Sequence, residues 1–174
     1  MPKVVKYIIL VLTGFAAGYL LVRISGDYND EKEAEKRIQT LPEVQFISLT
    51  GDTVNLHDFN PEMPVIIIYL HPDCDYCRYE AKEIGQNAAS FQNCQMIIIT
   101  SDDSVKRVEN FCMDHHLWEL NNIEIFLDPD NQFNNTFGKS VVPSVFIYDS
   151  DCKLKKQFLG ETKPEALLNE MNKL

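Results

Sequence analysis

The sequence has few basic residues for its number of acidic ones. Its 174 residues include 16 lysines and arginines against 26 aspartates and glutamates, so the formal net charge is −10 at pH 7. A protein that binds nucleic acid needs a basic surface to meet the phosphates. The charge balance therefore excludes nucleic acid as the expected partner, and we interpret it as a contribution to solubility.

Cysteine is also scarce, and none precedes Cys74 among the five in the chain. A lipid-modified N-terminal cysteine is therefore excluded as a membrane attachment. Zinc sites usually combine two pairs of ligands at similar spacing, and no second pair accompanies Cys74 and Cys77. The sequence thus favours redox chemistry over metal binding for this pair and requires no metal or organic cofactor.

The one long apolar run lies at the N-terminus and covers residues 4–24. Its uncharged part is short for a membrane span of about 20 residues, but Lys6 and Arg23 at its ends can snorkel towards the interfaces. Small residues at 16–18 resemble a cleavage site for a signal peptide, yet the apolar run continues beyond them. We therefore predict an uncleaved signal anchor over residues 1–24 rather than a cleaved signal peptide.

Charges around this run predict the orientation of the anchor. Lys3 and Lys6 precede it and Arg23 follows it, so the positive-inside rule places the N-terminus in the cytoplasm and the bulk of the chain outside. Residues 25–40 are polar and charged and are predicted to form a linker or an exposed helix. Residues 41–174 are then the folded domain, in a compartment where disulfides persist.

Hydrophobic patterns in this domain predict alternating strands and helices. The continuously apolar runs 65–70 and 94–100 are typical of strands buried on both faces of a sheet, and helical periodicity follows each of them. The chain thus predicts an α/β domain with a mixed sheet flanked by helices. The other predicted strands are 44–49, 53–56, 123–127, 144–148 and 155–159, and the predicted helical segments are 75–91, 102–116, 131–137 and 162–174.

Cys74 and Cys77 follow the first apolar run directly. Two thiols three residues apart, where a buried strand leads into a helix, can close into a disulfide with little motion. Cys74 lies near the start of the predicted helix, where the helix dipole favours thiolate over thiol. Because the thiolate is the nucleophile in disulfide exchange, this position prepares Cys74 to attack a disulfide of another protein.

Four features together resemble a known family. They are the hairpin before the first core strand, the sequence Cys74-Asp75-Tyr76-Cys77 after it, Glu80 three residues later, and the segment Val141–Phe146 with its proline before a strand. They make residues 41–174 similar to thioredoxin-fold proteins, specifically the membrane-anchored thiol-disulfide oxidoreductases of bacterial cell envelopes. These include the cytochrome c maturation reductases and their TlpA-like relatives, grouped with the redoxin and peroxiredoxin branch.

The resemblance implies a thioredoxin-like fold with an N-terminal β-hairpin extension and assigns roles to three residues. Cys74 would attack the substrate disulfide, Cys77 would resolve the mixed disulfide, and Glu80 would accept the proton that Cys77 loses. Glu80 lies three residues beyond Cys77 and so on the same helix face. A solvated carboxylate on the helix surface is the alternative interpretation for Glu80.

The resemblance also implies a substrate groove and partners. The Val142-Pro143 peptide bond would be cis and lie against the redox pair, with Val142, Pro143 and Tyr76 binding an extended substrate segment. A trans proline that simply begins a strand is the alternative. The expected partners are protein thiol or disulfide substrates and an upstream membrane or thiol electron donor. The expected location is the bacterial inner membrane, with a single pass and the domain facing the periplasm or the exterior.

The residues around the redox pair indicate the direction of electron flow. Asp73 and Asp75 flank Cys74 with negative charge, which opposes the thiolate and the helix dipole, whereas a protonated His71 would act the other way. A thiolate that is stabilised less makes the dithiol more reducing. The sequence therefore favours a reductase over a strong oxidase.

Three other functions remain as alternatives. A peroxiredoxin-type peroxidase needs a threonine close before its cysteine, and no threonine occurs between Asn55 and Cys94. A Cu(I) chaperone would use a distal histidine such as His115 or His116, but its two cysteines are usually four residues apart. A non-catalytic binding module would keep the cysteines as a static disulfide.

Overall fold

The computed structural model describes residues 3–59, 63–138 and 140–174. They form five α-helices and seven strands, with short 3-10 turns between some of them. The helices are α1 (Lys3–Arg37), α2 (Asp75–Gln86), α3 (Val105–Asp114), α4 (Gln132–Phe137) and α5 (Pro164–Met171). The strands are β1 (Gln45–Ser48), β2 (Thr53–Asn55), β3 (Val65–Leu70), β4 (Gln95–Thr100), β5 (Ile123–Leu127), β6 (Ser144–Tyr148) and β7 (Leu154–Leu159).

The seven strands form one mixed sheet in the order β2-β1-β5-β4-β3-β6-β7. Strand β4 pairs in parallel with both β3 and β5, and the remaining pairs are antiparallel. The predicted mixed α/β fold, with an N-terminal hairpin before the first core strand, is therefore confirmed. In this topology β3 lies near the middle of the sheet, and its carboxyl end is the point from which α2 leaves.

Both faces of β3 are buried because every residue in it is apolar or aromatic. Its six residues alternate between two core clusters. Ile66, Ile68 and Leu70 pack on one side of the sheet with α2, α3 and α5, and Val65, Ile67 and Tyr69 pack on the other side with α4. A strand fixed on both faces gives the residues that follow Leu70 a rigid base.

The N-terminal helix α1 continues past residue 24 and reaches the domain. Its apolar side chains between residues 9 and 24 are exposed, whereas Ala34 near its end is buried and Ile38 just beyond it is buried in the core that contains Tyr69. The Tyr148 hydroxyl donates a hydrogen bond of 3.0 Å to the Ile38 carbonyl. The end of the segment predicted as a linker therefore packs against the domain, because two apolar residues among charged ones suffice to dock it.

Helices α2 and α3 are shorter than predicted, and their ends lie in contact. The helix predicted over 75–91 ends at Gln86 and is followed by a 3-10 turn, and the helix predicted over 102–116 ends at Asp114. Gly85 on α2 lies against the backbone of His115, such that a Cβ atom at position 85 would be 1.9 Å from the His115 carbonyl oxygen. Glycine is required there because the two helices approach closely.

We expect Gly85→Ala to destabilise the protein, because the added methyl group must push His115 away from α2. Overpacking of this kind costs about 1–3 kcal/mol in free energy of unfolding. Chemical unfolding of the detergent-solubilised full chain, followed by circular dichroism, measures the effect.

Gly26→Ala is the matched control, since Gly26 is also helical but a Cβ atom there meets nothing within 4 Å. The control should leave stability unchanged or raise it by up to about 1 kcal/mol through helix propensity. Equal stability of the two variants would contradict the close approach of the two helices.

Candidate active site

Cys74 lies at the turn that joins β3 to α2. Residues 71–74, called the redox loop below, form this turn, and the Cys74 N–H donates to the His71 carbonyl at 3.0 Å. Cys74 is the N-cap residue of α2, and its Sγ accepts a hydrogen bond of 3.3 Å from the Cys77 N–H. An N-cap acceptor satisfies a free N–H of the first helical turn, and negative charge is favoured at that position. The geometry therefore suits a sulfur that becomes a thiolate.

Cys77 differs from Cys74 in its exposure. It has no exposed surface, whereas Cys74 is only half-buried. Burial raises the pKa of the Cys77 thiol well above its ordinary value, and the hydrogen bond with Cys74 raises it further. The two cysteines are present as thiols, and substrate can reach only the first without rearrangement. This difference in exposure fits the predicted attack by Cys74 and leaves the Cys77 thiol protonated.

Glu80 is buried beneath the redox pair, with 2% of its surface exposed. Its Oε2 accepts a hydrogen bond of 2.6 Å from the Thr162 N–H, and its Oε1 has no partner among the described residues. Burial raises the pKa of Glu80 to about 7, the Thr162 N–H lowers it in part, and the charge of Glu161 raises it. Glu80 is therefore not a solvated surface carboxylate, and it changes protonation near neutral pH.

The cis-proline loop lies against Cys74. The Val142-Pro143 peptide bond is cis, as predicted, and the Cys74 thiol donates a long hydrogen bond of 3.7 Å to the Val142 carbonyl. Pro143 is buried, and its carbonyl accepts from the Gly160 N–H at 2.9 Å. Of the predicted site residues, Cys74, Cys77, Glu80, Val142 and Pro143 thus lie together at the carboxyl end of β3.

Tyr76 occupies the first turn of α2 and lies outside this cluster. Its side chain is 65% exposed, so it is available to a partner but is not fixed by the described residues. The structure brings it to the same surface as Cys74, two residues away in the chain. Its predicted part in substrate binding stays a prediction.

The acidic residues beside Cys74 are paired with arginines, which sequence reasoning missed. Asp75 pairs with Arg78 at 3.5 Å and Asp73 pairs with Arg107 at 3.4 Å. The first pair has an i,i+3 spacing on α2 and was detectable from the sequence. The second joins residues 34 positions apart, so only the fold reveals it. The negative charge around Cys74 is accordingly smaller than the sequence indicates.

The described part of the chain offers no support for the copper-chaperone alternative. In residues 3–59, 63–138 and 140–174, no group of three or more His, Cys, Asp or Glu side chains is placed to hold a metal ion. His115 contacts the Phe111 ring edge to face, and burial lowers its pKa. His116 lies 2.8 Å from the Glu119 carboxylate. Both histidines have structural partners after the end of α3.

Comparison with known sequences identifies the family. The profile of the AhpC/TSA family matches residues 38–157. The chain belongs to the AhpC/TSA family. Among curated proteins, it is 24% identical over 171 residues to the thiol-disulfide oxidoreductase ResA of Bacillus thuringiensis, covering 97% of this chain and 94% of that relative. The match extends through the N-terminal helix as well as the folded domain.

Solved structures with low sequence identity share the fold. A secreted Mycobacterium tuberculosis disulfide oxidoreductase homologous to E. coli DsbE has a TM-score of 0.63 at 18% identity and covers 80% of this chain and 98% of its own. Peroxidoxin BcpB from the same organism has a TM-score of 0.63 at 16% identity and covers 78% and 95%. The thioredoxin-like fold is thus confirmed, and it is shared by disulfide oxidoreductases and a peroxidoxin.

We expect the buried Glu80 to make stability depend on pH. Its pKa is about 7 in the folded protein and near 4.5 when unfolded. Between these values the folded state holds a proton that the unfolded state has released, so raising the pH favours unfolding. The wild type should lose about 3 kcal/mol relative to Glu80→Gln between pH 4.5 and 8.

Urea unfolding of both proteins at several pH values measures this difference, because other titrating groups cancel in the comparison. Glu83→Gln is the control, since Glu83 lies one turn further along α2 and is half exposed. A constant difference between the wild type and Glu80→Gln across the range would contradict a Glu80 pKa near 7.

Proposed function

We propose that the protein is a thiol-disulfide oxidoreductase that reduces disulfides of other proteins outside the cytoplasmic membrane. The observation that carries the proposal is the arrangement of a half-buried, N-capping Cys74 above a buried Cys77 and a buried Glu80. Membership of the AhpC/TSA family and the similarity to ResA over 97% of the chain support it.

The reaction begins with attack by Cys74. Its thiolate attacks one sulfur of the substrate disulfide, forms a mixed disulfide and releases the other substrate sulfur as a thiolate, which takes up a proton. Cys77 then attacks the Cys74 Sγ and releases the second substrate sulfur. The substrate gains two electrons and two protons, and the enzyme is left with a Cys74–Cys77 disulfide.

Glu80 acts as the general base for the Cys77 thiol at the second step. A thiol whose pKa is raised by burial is a poor nucleophile until it loses its proton. The Glu80 carboxylate faces Cys77, and its pKa of about 7 lies near the working pH, where a general base is most effective. Glu80 accepts the proton of Cys77 as the new S–S bond forms.

The cis-proline loop provides the surface that receives the substrate. The Val142 carbonyl lies at hydrogen-bonding distance from Cys74, so a substrate segment running past that sulfur meets backbone groups of the loop. Tyr76 and Val141 are both exposed and offer apolar contacts to a partner. This arrangement suits an extended polypeptide around the substrate cysteine, as proposed from the resemblance.

The apolar part of α1 anchors the enzyme. Within the described residues, one helix is long and apolar enough to cross a membrane, and none of its most apolar stretch is buried in the protein. Lys3 and Lys6 precede the apolar stretch and Arg23 follows it, so the positive-inside rule favours a domain that faces the periplasm or the exterior. Because the end of α1 packs against the domain, the domain is held near the membrane, where a membrane or thiol electron donor returns the disulfide to the dithiol.

A peroxidase is the second candidate, favoured by the family and by the shared fold of peroxidoxin BcpB. The residues before Cys74 are His71, Pro72 and Asp73, which offer no hydroxyl group to polarise a peroxide. Peroxide consumption that depends on Cys74 would establish this activity in place of disulfide reduction.

We expect Cys77→Ser to trap substrates in cells, because the mixed disulfide on Cys74 then lacks its resolving thiol. Non-reducing electrophoresis of affinity-purified protein, followed by mass spectrometry, identifies the attached proteins. The adducts should be released by dithiothreitol.

The control is the double variant Cys74→Ser with Cys77→Ser, which keeps Cys152 as the half-buried competing thiol and should show no adducts. Adducts that persist in the double variant would assign them to Cys152. A Cys77→Ser protein without adducts, in cells where wild-type protein stays permanently oxidised, would favour the binding module.

A further inference from the structure

One arginine connects the redox loop to the neighbouring helix. Arg107 on the first turn of α3 makes two contacts with Asp102, from Nε to Oδ2 at 2.5 Å and from Nη2 to Oδ1 at 3.0 Å. Its Nη1 lies 3.4 Å from Oδ2 of Asp73, the residue directly before Cys74. A single guanidinium thus spans two carboxylates, one of them adjacent to the nucleophile.

The far end of this connection is rigid. Asp102 follows the carboxyl end of β4, its side chain has no exposed surface, and its Oδ1 accepts from the Ser104 N–H at 2.8 Å. The Asp102 N–H in turn donates to the Thr100 hydroxyl at 3.2 Å. A planar guanidinium held at two points by a buried carboxylate keeps its orientation. Arg107 is therefore presented to the redox loop in a fixed position.

The other end of this connection is Asp73 in the redox loop. The Asp73 N–H donates to Nδ1 of His71 at 3.2 Å, and Arg78 donates to the Asp73 carbonyl at 3.3 Å. These bonds fix the backbone of Asp73 and leave its carboxylate to Arg107. The pair links α3 to the loop, and it also places a positive charge beside one of the two negative charges that flank Cys74 in the chain.

We propose that Arg107 is a positioning residue for disulfide exchange, which holds the redox loop through Asp73 and neutralises the Asp73 charge so that Cys74 reacts as a thiolate. The proposal rests on the proposed function, but its test does not require a substrate. Among the described residues Arg107 has no hydrogen bond or ion pair to either cysteine, so Asp73 is its link to the redox loop.

Several other charged or titratable groups lie around Cys74 and contribute to its pH profile in every variant. Asp75 and Arg78 form a pair on α2, His71 lies in the redox loop, and Cys77 and Glu80 lie beneath. The cis-proline loop contributes the Val142 carbonyl, which is uncharged. None of these groups changes when Arg107 or Asp73 is replaced, so differences between variants report on the ion pair.

The test measures how fast iodoacetamide alkylates Cys74 in the reduced full-length protein between pH 5 and 9, with mass spectrometry of the Cys74 peptide. We expect Arg107→Gln to lower the rate at pH 7 about threefold and to move the midpoint of the pH profile upward, because an exposed charge several ångströms away has an effect of this size in water. Arg107→Lys should restore most of the wild-type profile, since it keeps the charge.

Lys106→Gln is the matched control, because it removes the same charge one residue earlier on α3 from a side chain without an ion pair to Asp73 or Asp102. It should leave the profile near that of the wild type. Equal profiles for Arg107→Gln and Lys106→Gln would overturn the proposal, even where disulfide exchange itself is established.

A second variant covers the case in which Arg107→Gln fails to fold because Asp102 is left buried without its partner. Asp73→Asn keeps the Asp102–Arg107 pair and removes the charge that Arg107 neutralises. It should move the midpoint downward, because a negative charge that opposes the thiolate is removed while Arg107 stays in place. A midpoint equal to that of the wild type would show that the Asp73 charge does not act on Cys74 and would overturn the proposal.

Discussion

The burial of one face of the first two turns of α2 is the constraint on which the site depends. Cys77 and Glu80 both lie on this face, and burial raises the pKa of each. Glu80, with a pKa of about 7, ionises more readily than Cys77, and their place on one face of the same helix is the basis of the proposed proton transfer between them. Cys74, one residue before the helix begins, escapes this burial and keeps a backbone N–H on its sulfur. The N-terminal end of α2 therefore has an accessible thiol at Cys74 and a buried, less reactive thiol at Cys77.

The rest of the fold maintains this difference. Strand β3 is buried on both faces, so the redox loop begins from a fixed point, and the cis-proline loop before β6 covers one side of Cys74. The segment before α5 covers Glu80, since the Thr162 N–H donates a hydrogen bond to the Glu80 carboxylate and holds it in place. Residues from distant parts of the chain thus surround Cys74, Cys77 and Glu80, which together span only seven residues.

Prediction from the sequence succeeded where the physical cause is local. The apolar run Val65–Leu70, the Cys74–Cys77 spacing and the proline before a strand each carry their information within a few residues. Prediction failed where the cause is a contact between distant residues. The burial of Glu80 depends in part on the segment at Thr162, 82 residues later, and the ion pair of Asp73 depends on Arg107. Docking of the end of α1 was missed because two apolar residues among charged ones, Ala34 and Ile38, are too few to form a recognisable periodic pattern.

The most direct test of proton transfer from Cys77 to Glu80 is a stopped-flow measurement of the reduced protein reacting with 5,5′-dithiobis(2-nitrobenzoate), with Cys152 replaced by serine. Attack by Cys74 releases the first nitrothiobenzoate, and resolution by Cys77 releases the second, so the two steps appear as two phases. We predict that the rate of the second phase rises with pH with a midpoint near pH 7, where Glu80 is half ionised, and levels off above it, and that Glu80→Gln slows this phase at least about tenfold at pH 7. A second phase with the same rate and pH profile in Glu80→Gln would contradict the account.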